Sequence, residues 1–131
     1  MKNHFIKLVL LASTIIVLTN CNKLGKDFDN YFYTDIENSA GPLTLFIDGK
    51  NKGGLPYLKT SVSPTNDTII NHALHLTLKS GKYKIEAKDN QGNLKCSFTL
   101  KFRSNLLSTS GTIGRQTTAA SGKIVVTKLN Y

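Results

Sequence analysis

From Ile70 onward, apolar and polar residues alternate along three successive runs of the chain. Leu74, Leu76 and Leu78 alternate with His75, Thr77 and Lys79. Ser80-Gly81 interrupts the pattern, and Tyr83, Ile85 and Ala87 then alternate with Lys82, Lys84, Glu86 and Lys88. Asp89-Asn90-Gln91-Gly92 interrupts it again, before Leu94, Cys96, Phe98, Leu100 and Phe102 alternate with Lys95, Ser97, Thr99, Lys101 and Arg103. Successive side chains of a strand point to opposite faces, so period two predicts half-buried antiparallel strands with one apolar and one wet face. Tyr83 and Phe98 are predicted to face the core, and Lys84 the solvent.

The pattern also constrains register. The apolar set is odd-numbered in the second run and even-numbered in the third, so opposed residues sum to an odd number. Pairing Ile85 with Cys96 and Tyr83 with Phe98 leaves the loop Asp89–Gly92 and sets Glu86 opposite Lys95. A slide of two residues opposes Lys88 to Lys95, and like charges disfavour that register. The first two runs leave two arrangements open. They form a tight hairpin around Ser80-Gly81, with His75 opposite Glu86, or a corner where the chain passes between sheets; the corner is preferred.

Elsewhere the signals are shorter. Tyr31-Phe32-Tyr33-Thr34 and Leu43–Asp48 read as strands, with Gly49–Gly54 as a turn after the second. Leu55–Val62 reads as a short strand that Pro56 confines to an edge, and Ser63–Asp67 as loop. Ser104–Ser121 is rich in Ser and Thr, with Leu106, Leu107 and Ile113 as its large apolar residues. It predicts a long connection holding at most one weak strand, before a closing strand at Lys123–Leu129. Seven or eight short strands within residues 31–131 predict an all-β domain, a small antiparallel β-sandwich.

The N-terminus obeys another rule. Lys2 and Lys7 precede or flank an uncharged run from Leu8 to Leu18, well short of the roughly 20 apolar residues that a membrane-spanning helix needs. A cationic start, a short apolar core and a processing site form the pattern of a secretory signal. The site, Leu18-Thr19-Asn20-Cys21, resembles the bacterial lipobox, with Asn20 where small residues are usual. The resemblance implies a lipoprotein in which residues 1–20 are a signal peptide, Cys21 is lipidated and residues 21–30 are a tether. Several acyl chains, at about 0.8 kcal/mol per buried methylene, make such attachment close to permanent. Asn22 after the cysteine implies, by the same resemblance, sorting to the outer rather than the inner membrane, on a face that the motif does not specify.

Removing the leader lowers the formal net charge from +9 to +7. That sign suits anionic partners such as lipid headgroups or acidic glycans, and it also keeps a small domain soluble. Lys84, Lys88, Lys95, Lys101 and Arg103 share the outer face of the predicted hairpin and form a candidate anionic-surface patch. No aromatics are interleaved there, so nucleic acid is not an expected partner. Lipidation of Cys21 leaves Cys96 as the one remaining cysteine; its inward position predicts a small buried hydrophobe, with intermolecular pairing the alternative. His72 and His75 would fall on opposite faces of a strand, unsuited to sharing a metal. No phosphate loop, cysteine pair, nucleophile elbow or carboxylate cluster is present, so neither an enzyme nor a cofactor or metal site is expected. Asp67-Thr68-Ile69 resembles a bacterial O-glycosylation acceptor, which implies Thr68 as a candidate site.

Leu45-Phe46-Ile47-Asp48-Gly49-Lys50, Gly54-Leu55-Pro56 and Leu78-Lys79-Ser80-Gly81-Lys82-Tyr83 together resemble the PEGA-type repeat of bacterial surface proteins. The last element is shared with immunoglobulin-like sandwiches, where the tyrosine anchors a sharp turn. The resemblance spans roughly residues 43–88 and implies a PEGA-like or Ig-like domain with a non-catalytic role in attachment or assembly. The resulting expectation is an envelope lipoprotein that binds a protein, glycan or lipid partner. The alternatives are an inhibitor of an envelope hydrolase, disfavoured by its charge against basic lysozymes, and an accessory lipoprotein of a secretion or transfer machine.

Overall fold

The computed structural model describes residues 25–59, 67–103, 106–113 and 115–131; Cys21 and the leader lie outside them. Among the described residues, nine strands, β1 (Asp27–Tyr33), β2 (Leu43–Ile47), β3 (Lys50–Leu55), β4 (Leu74–Lys79), β5 (Gly81–Lys88), β6 (Leu94–Arg103), β7 (Leu106–Ile113), β8 (Arg115–Ser121) and β9 (Ile124–Asn130), accompany one short helix, α1 (Asp67–His72). They form a four-stranded sheet in the order β4-β1-β9-β8 and a five-stranded sheet in the order β3-β2-β5-β6-β7. The fold is an all-β sandwich, as the alternation predicts. Among the described strands every pairing is antiparallel except that of β1 with β9.

The core lies between the inner faces. Phe28, Phe32, Val125 and Leu129 of the four-stranded sheet meet Leu45, Ile85, Phe98 and Leu100 of the other in one buried cluster. Phe28 and Phe102 stack across the interface with ring centroids 5.2 Å apart. A smaller cluster sits outside the four-stranded sheet, where Ile69 of α1 is fully buried against Tyr33 and Val126. Central strands β1 and β9 are therefore covered on both faces, which explains why Tyr31-Phe32-Tyr33 and Ile124-Val125-Val126 run apolar without alternating.

The corner reading holds: β4 and β5 lie in different sheets, joined through Ser80. Other expectations need correction. β1 begins at Asp27, inside the expected tether 21–30, because Asp27–Asn30 pair with Lys79–Leu76 of β4. Asn30 points into the core and is fully buried, a polar residue at an inward position that hides the alternation. The turn expected over Gly49–Gly54 is only Asp48-Gly49, with φ of 49° and 75°. Ile47 pairs directly with Lys50, so Asp-Gly makes the two-residue hairpin its positive dihedrals favour, and the residues after it become β3. Ser104–Ser121 is not a connection: it contributes β7 on the five-stranded sheet and β8 on the four-stranded one. Asp67 opens α1 instead of ending a loop.

Candidate functional site

The β4–β5 corner is built by local hydrogen bonds. Tyr83, expected to be buried, leaves it only partly buried against the core, and its hydroxyl donates to the Lys79 carbonyl oxygen at 2.8 Å. Burial raises the Tyr83 pKa, the carboxylates of Asp48 and Asp27 raise it further, and the bond to Lys79 opposes them. On the other side of the turn, the Ser80 backbone N–H and hydroxyl both donate to the Lys26 carbonyl oxygen, at 2.8 and 3.2 Å. Gly25 runs so close to the corner that a Cβ there would lie 3.2 Å from both Cβ and N of Ser80. The corner thus clasps the chain just ahead of β1.

The register of β5 and β6 differs from the expected one. Ile85 pairs with Phe98, Tyr83 with Leu100 and Ala87 with Cys96, the alternative displaced by two residues. A β-bulge between Ala87 and Lys88 pairs Lys88 with Leu94, so Lys95 becomes the extra residue and the like-charge pair never forms. The hairpin loop specifies this arrangement. Asp89, 5% exposed, accepts from the backbone N–H groups of Gln91 and Asn93, both at 2.9 Å, and from Asn93 Nδ2 at 3.0 Å. Lys95 Nζ stands 3.5 Å from its second oxygen. Burial alone would raise the Asp89 pKa, but the bonds from Asn93, Gln91 and Lys95 outweigh it and hold the carboxyl below its ordinary value.

The five predicted patch residues consequently separate. Lys84 Nζ lies 2.7 Å from Oε1 of the largely buried Glu86, and Lys88 Nζ stands 4.9 Å above the Phe46 ring. With Lys95 held by Asp89, three of the five are engaged by groups of the hairpin or of the neighbouring β2. Lys101 and Arg103 lie at the opposite end of the hairpin, where they meet two cations absent from the predicted set. Lys101 is directly opposite Lys82 in register, and Lys26, Lys82, Lys101 and Arg103 line one groove of about 520 Å³ floored by Phe102. Among the described residues, none of these four cations has a carboxylate within ion-pair distance. Lys82 was available from the alternation, whereas Lys26 becomes visible only once β1 is seen to pair with β4.

The remaining candidates are placed apart from this groove. Thr68 is exposed in the first turn of α1, not in a loop, and its carbonyl oxygen accepts from His72 Nδ1 at 2.8 Å. His75 on β4 bonds Asp29 through Nε2 at 3.0 Å and stacks on Tyr31 at 4.7 Å. Among the described residues no three His, Cys, Asp or Glu side chains are grouped to hold a metal, and no helix is long and apolar enough to cross a membrane. Cys96 is fully buried and not in a disulfide, and burial pushes its thiol up to about 11. Compared with protein-family models, with curated proteins and with solved structures, the chain has no match.

Proposed function

We propose that this chain is a lipid-anchored lipoprotein of the cell envelope, sorted to the outer membrane, whose β-sandwich has a non-catalytic binding or structural role. The observation that carries the reading is Leu18-Thr19-Asn20-Cys21 at the end of a cationic, apolar leader too short to span a bilayer. The start of β1 at Asp27 fits it, because a strand beginning so soon after Cys21 holds the domain against the surface to which the lipid attaches. The Asp48-Gly49 hairpin and the Tyr83-anchored corner support a PEGA-like or Ig-like reading of the domain, used for attachment rather than reaction. In that role the polar side chains act structurally, as Asp89 does in its loop and Glu86 with Lys84.

The test is metabolic labelling with a palmitate analogue followed by membrane fractionation. The wild-type chain takes up label and sediments with the envelope. Cys21→Ser does neither, and label persisting on that variant overturns the anchor.

A further inference from the structure

The groove at the β4–β5 corner combines three features. It gathers four cations, Lys26, Lys82, Lys101 and Arg103, none neutralised by a carboxylate among the described residues. Asp27, the adjacent acid in sequence, pairs in register with Lys79 and does not line the groove. Lys82 and Lys101 face each other directly across the β5–β6 ladder, the arrangement in which like charges destabilise a sheet. An anion seated between them relieves that repulsion.

The third feature is position. Gly25 and Lys26 are part of the groove, and the bonds from Ser80 to the Lys26 carbonyl fix the chain there. Cys21 is four residues before Gly25, a reach of at most about 14 Å even fully extended. A lipid on Cys21 therefore keeps this groove, and not the distant Asp89–Gly92 loop, within headgroup range of the membrane. We infer that Lys26, Lys82, Lys101 and Arg103 form a seat for the phosphate of an anionic phospholipid headgroup, an inference that rests on the lipid anchor for its choice of ligand. The open groove, cationic walls and apolar Phe102 floor suit a headgroup presented at a surface.

The experiment uses residues 22–131 without lipid, which contain all nine strands, every described pairing being made within residues 27–130. Co-sedimentation is measured with vesicles of phosphatidylglycerol and phosphatidylcholine, and with phosphatidylcholine alone. Binding is expected on the anionic vesicles at low salt and not on the neutral ones. It should largely vanish near 0.5 M salt, where the Debye length is about 4–5 Å. Lys82→Glu/Lys101→Glu should weaken binding at least about tenfold, while Lys52→Glu/Lys59→Glu, equal in charge change but outside the groove, should weaken it far less. Thermal melts confirm folding; if the first variant does not fold, Lys82→Gln/Lys101→Gln should still lose binding several-fold. Equal losses from both charge-reversed pairs, or no binding to anionic vesicles, would each overturn the assignment. Because no lipid is attached, the result is independent of the Cys21→Ser labelling outcome.

Discussion

The β5–β6 hairpin carries two cationic regions, and they differ in what each cation meets. From mid-strand to the Asp89–Gly92 loop, Lys84 caps Glu86, Lys88 covers Phe46 and Lys95 approaches Asp89. At the corner, Lys82 meets Lys101, and Lys26 and Arg103 complete the ring around the groove. Both regions are cationic, and every cation but Lys26 lies on β5 or β6. Among the described residues, only the first region is electrostatically finished. A count of lysines on one face cannot separate a solvated surface from a binding site; the register and the neighbouring strand can.

The largest expected effect concerns the core beneath the two regions. Phe98 and Phe102 are both 2% exposed, one on the central ladder and one beneath the groove. Each, changed to Ala, should cost about 3–5 kcal/mol in denaturant melts. A Phe102→Ala cost below about 1 kcal/mol would mean that the corner is not part of the common core and that the groove is not a built feature.

The lysines themselves should respond in opposite ways. Lys84→Ala leaves the Glu86 carboxylate, only 8% exposed, without its partner and should cost about 1–2 kcal/mol. Lys82→Ala removes one half of a like-charge pair and should be neutral or stabilising by about 0.2–0.5 kcal/mol. Similar costs for the two, in the same melts, would erase the distinction between the regions.

The smallest effect is confined to acid. The folded state holds the Asp89 pKa below its ordinary value, so Asp89 binds its proton less readily folded than unfolded. Its contribution is complete above the unfolded carboxylate value, about pH 3.9, and is lost as pH falls through the lower folded value. Wild type should therefore lose more stability between about pH 5 and pH 2 than Asp89→Asn does. Parallel curves for the two proteins would remove Asp89 as the group that locks the bulged register.

Legibility in the sequence divides along the same physical line. The alternation from Leu74 to Phe102 gave the facing of each strand, because burial of one face imposes period two, while Ser80-Gly81 left a hairpin and a corner open, with the corner preferred. Register could not be read in this way, since it turns on the hydrogen bonds of Asp89 and on a bulge that removes the expected Lys88–Lys95 conflict. β7 and β8 were hidden because Ser, Thr and Gly dominate the first, small and polar residues the second, and their pairing is supplied by β6 and β9. β1 was shortened because Asn30 occupies an inward position. Lys101 and Arg103 were legible as site residues. Lys26 was not, for it meets Lys82 only through the pairing of β1 with the end of β4.

The proposed docking of the corner end on an anionic membrane, with the domain tethered by lipid on Cys21, can be measured on the lipidated protein by site-specific fluorescence. Cys96 is fully buried with its thiol pushed up to about 11, so a single introduced cysteine labels selectively. A fluorophore at Lys79→Cys, beside the corner, is compared with one at Gln91→Cys, in the far loop, using bilayers that carry a quencher on the headgroup. Quenching at position 79 should rise when neutral lipid is replaced by anionic lipid at low salt and fall back near 0.5 M salt, while position 91 stays unquenched. Quenching at 79 that ignores lipid charge, or quenching at 91 that matches it, would contradict docking through the corner.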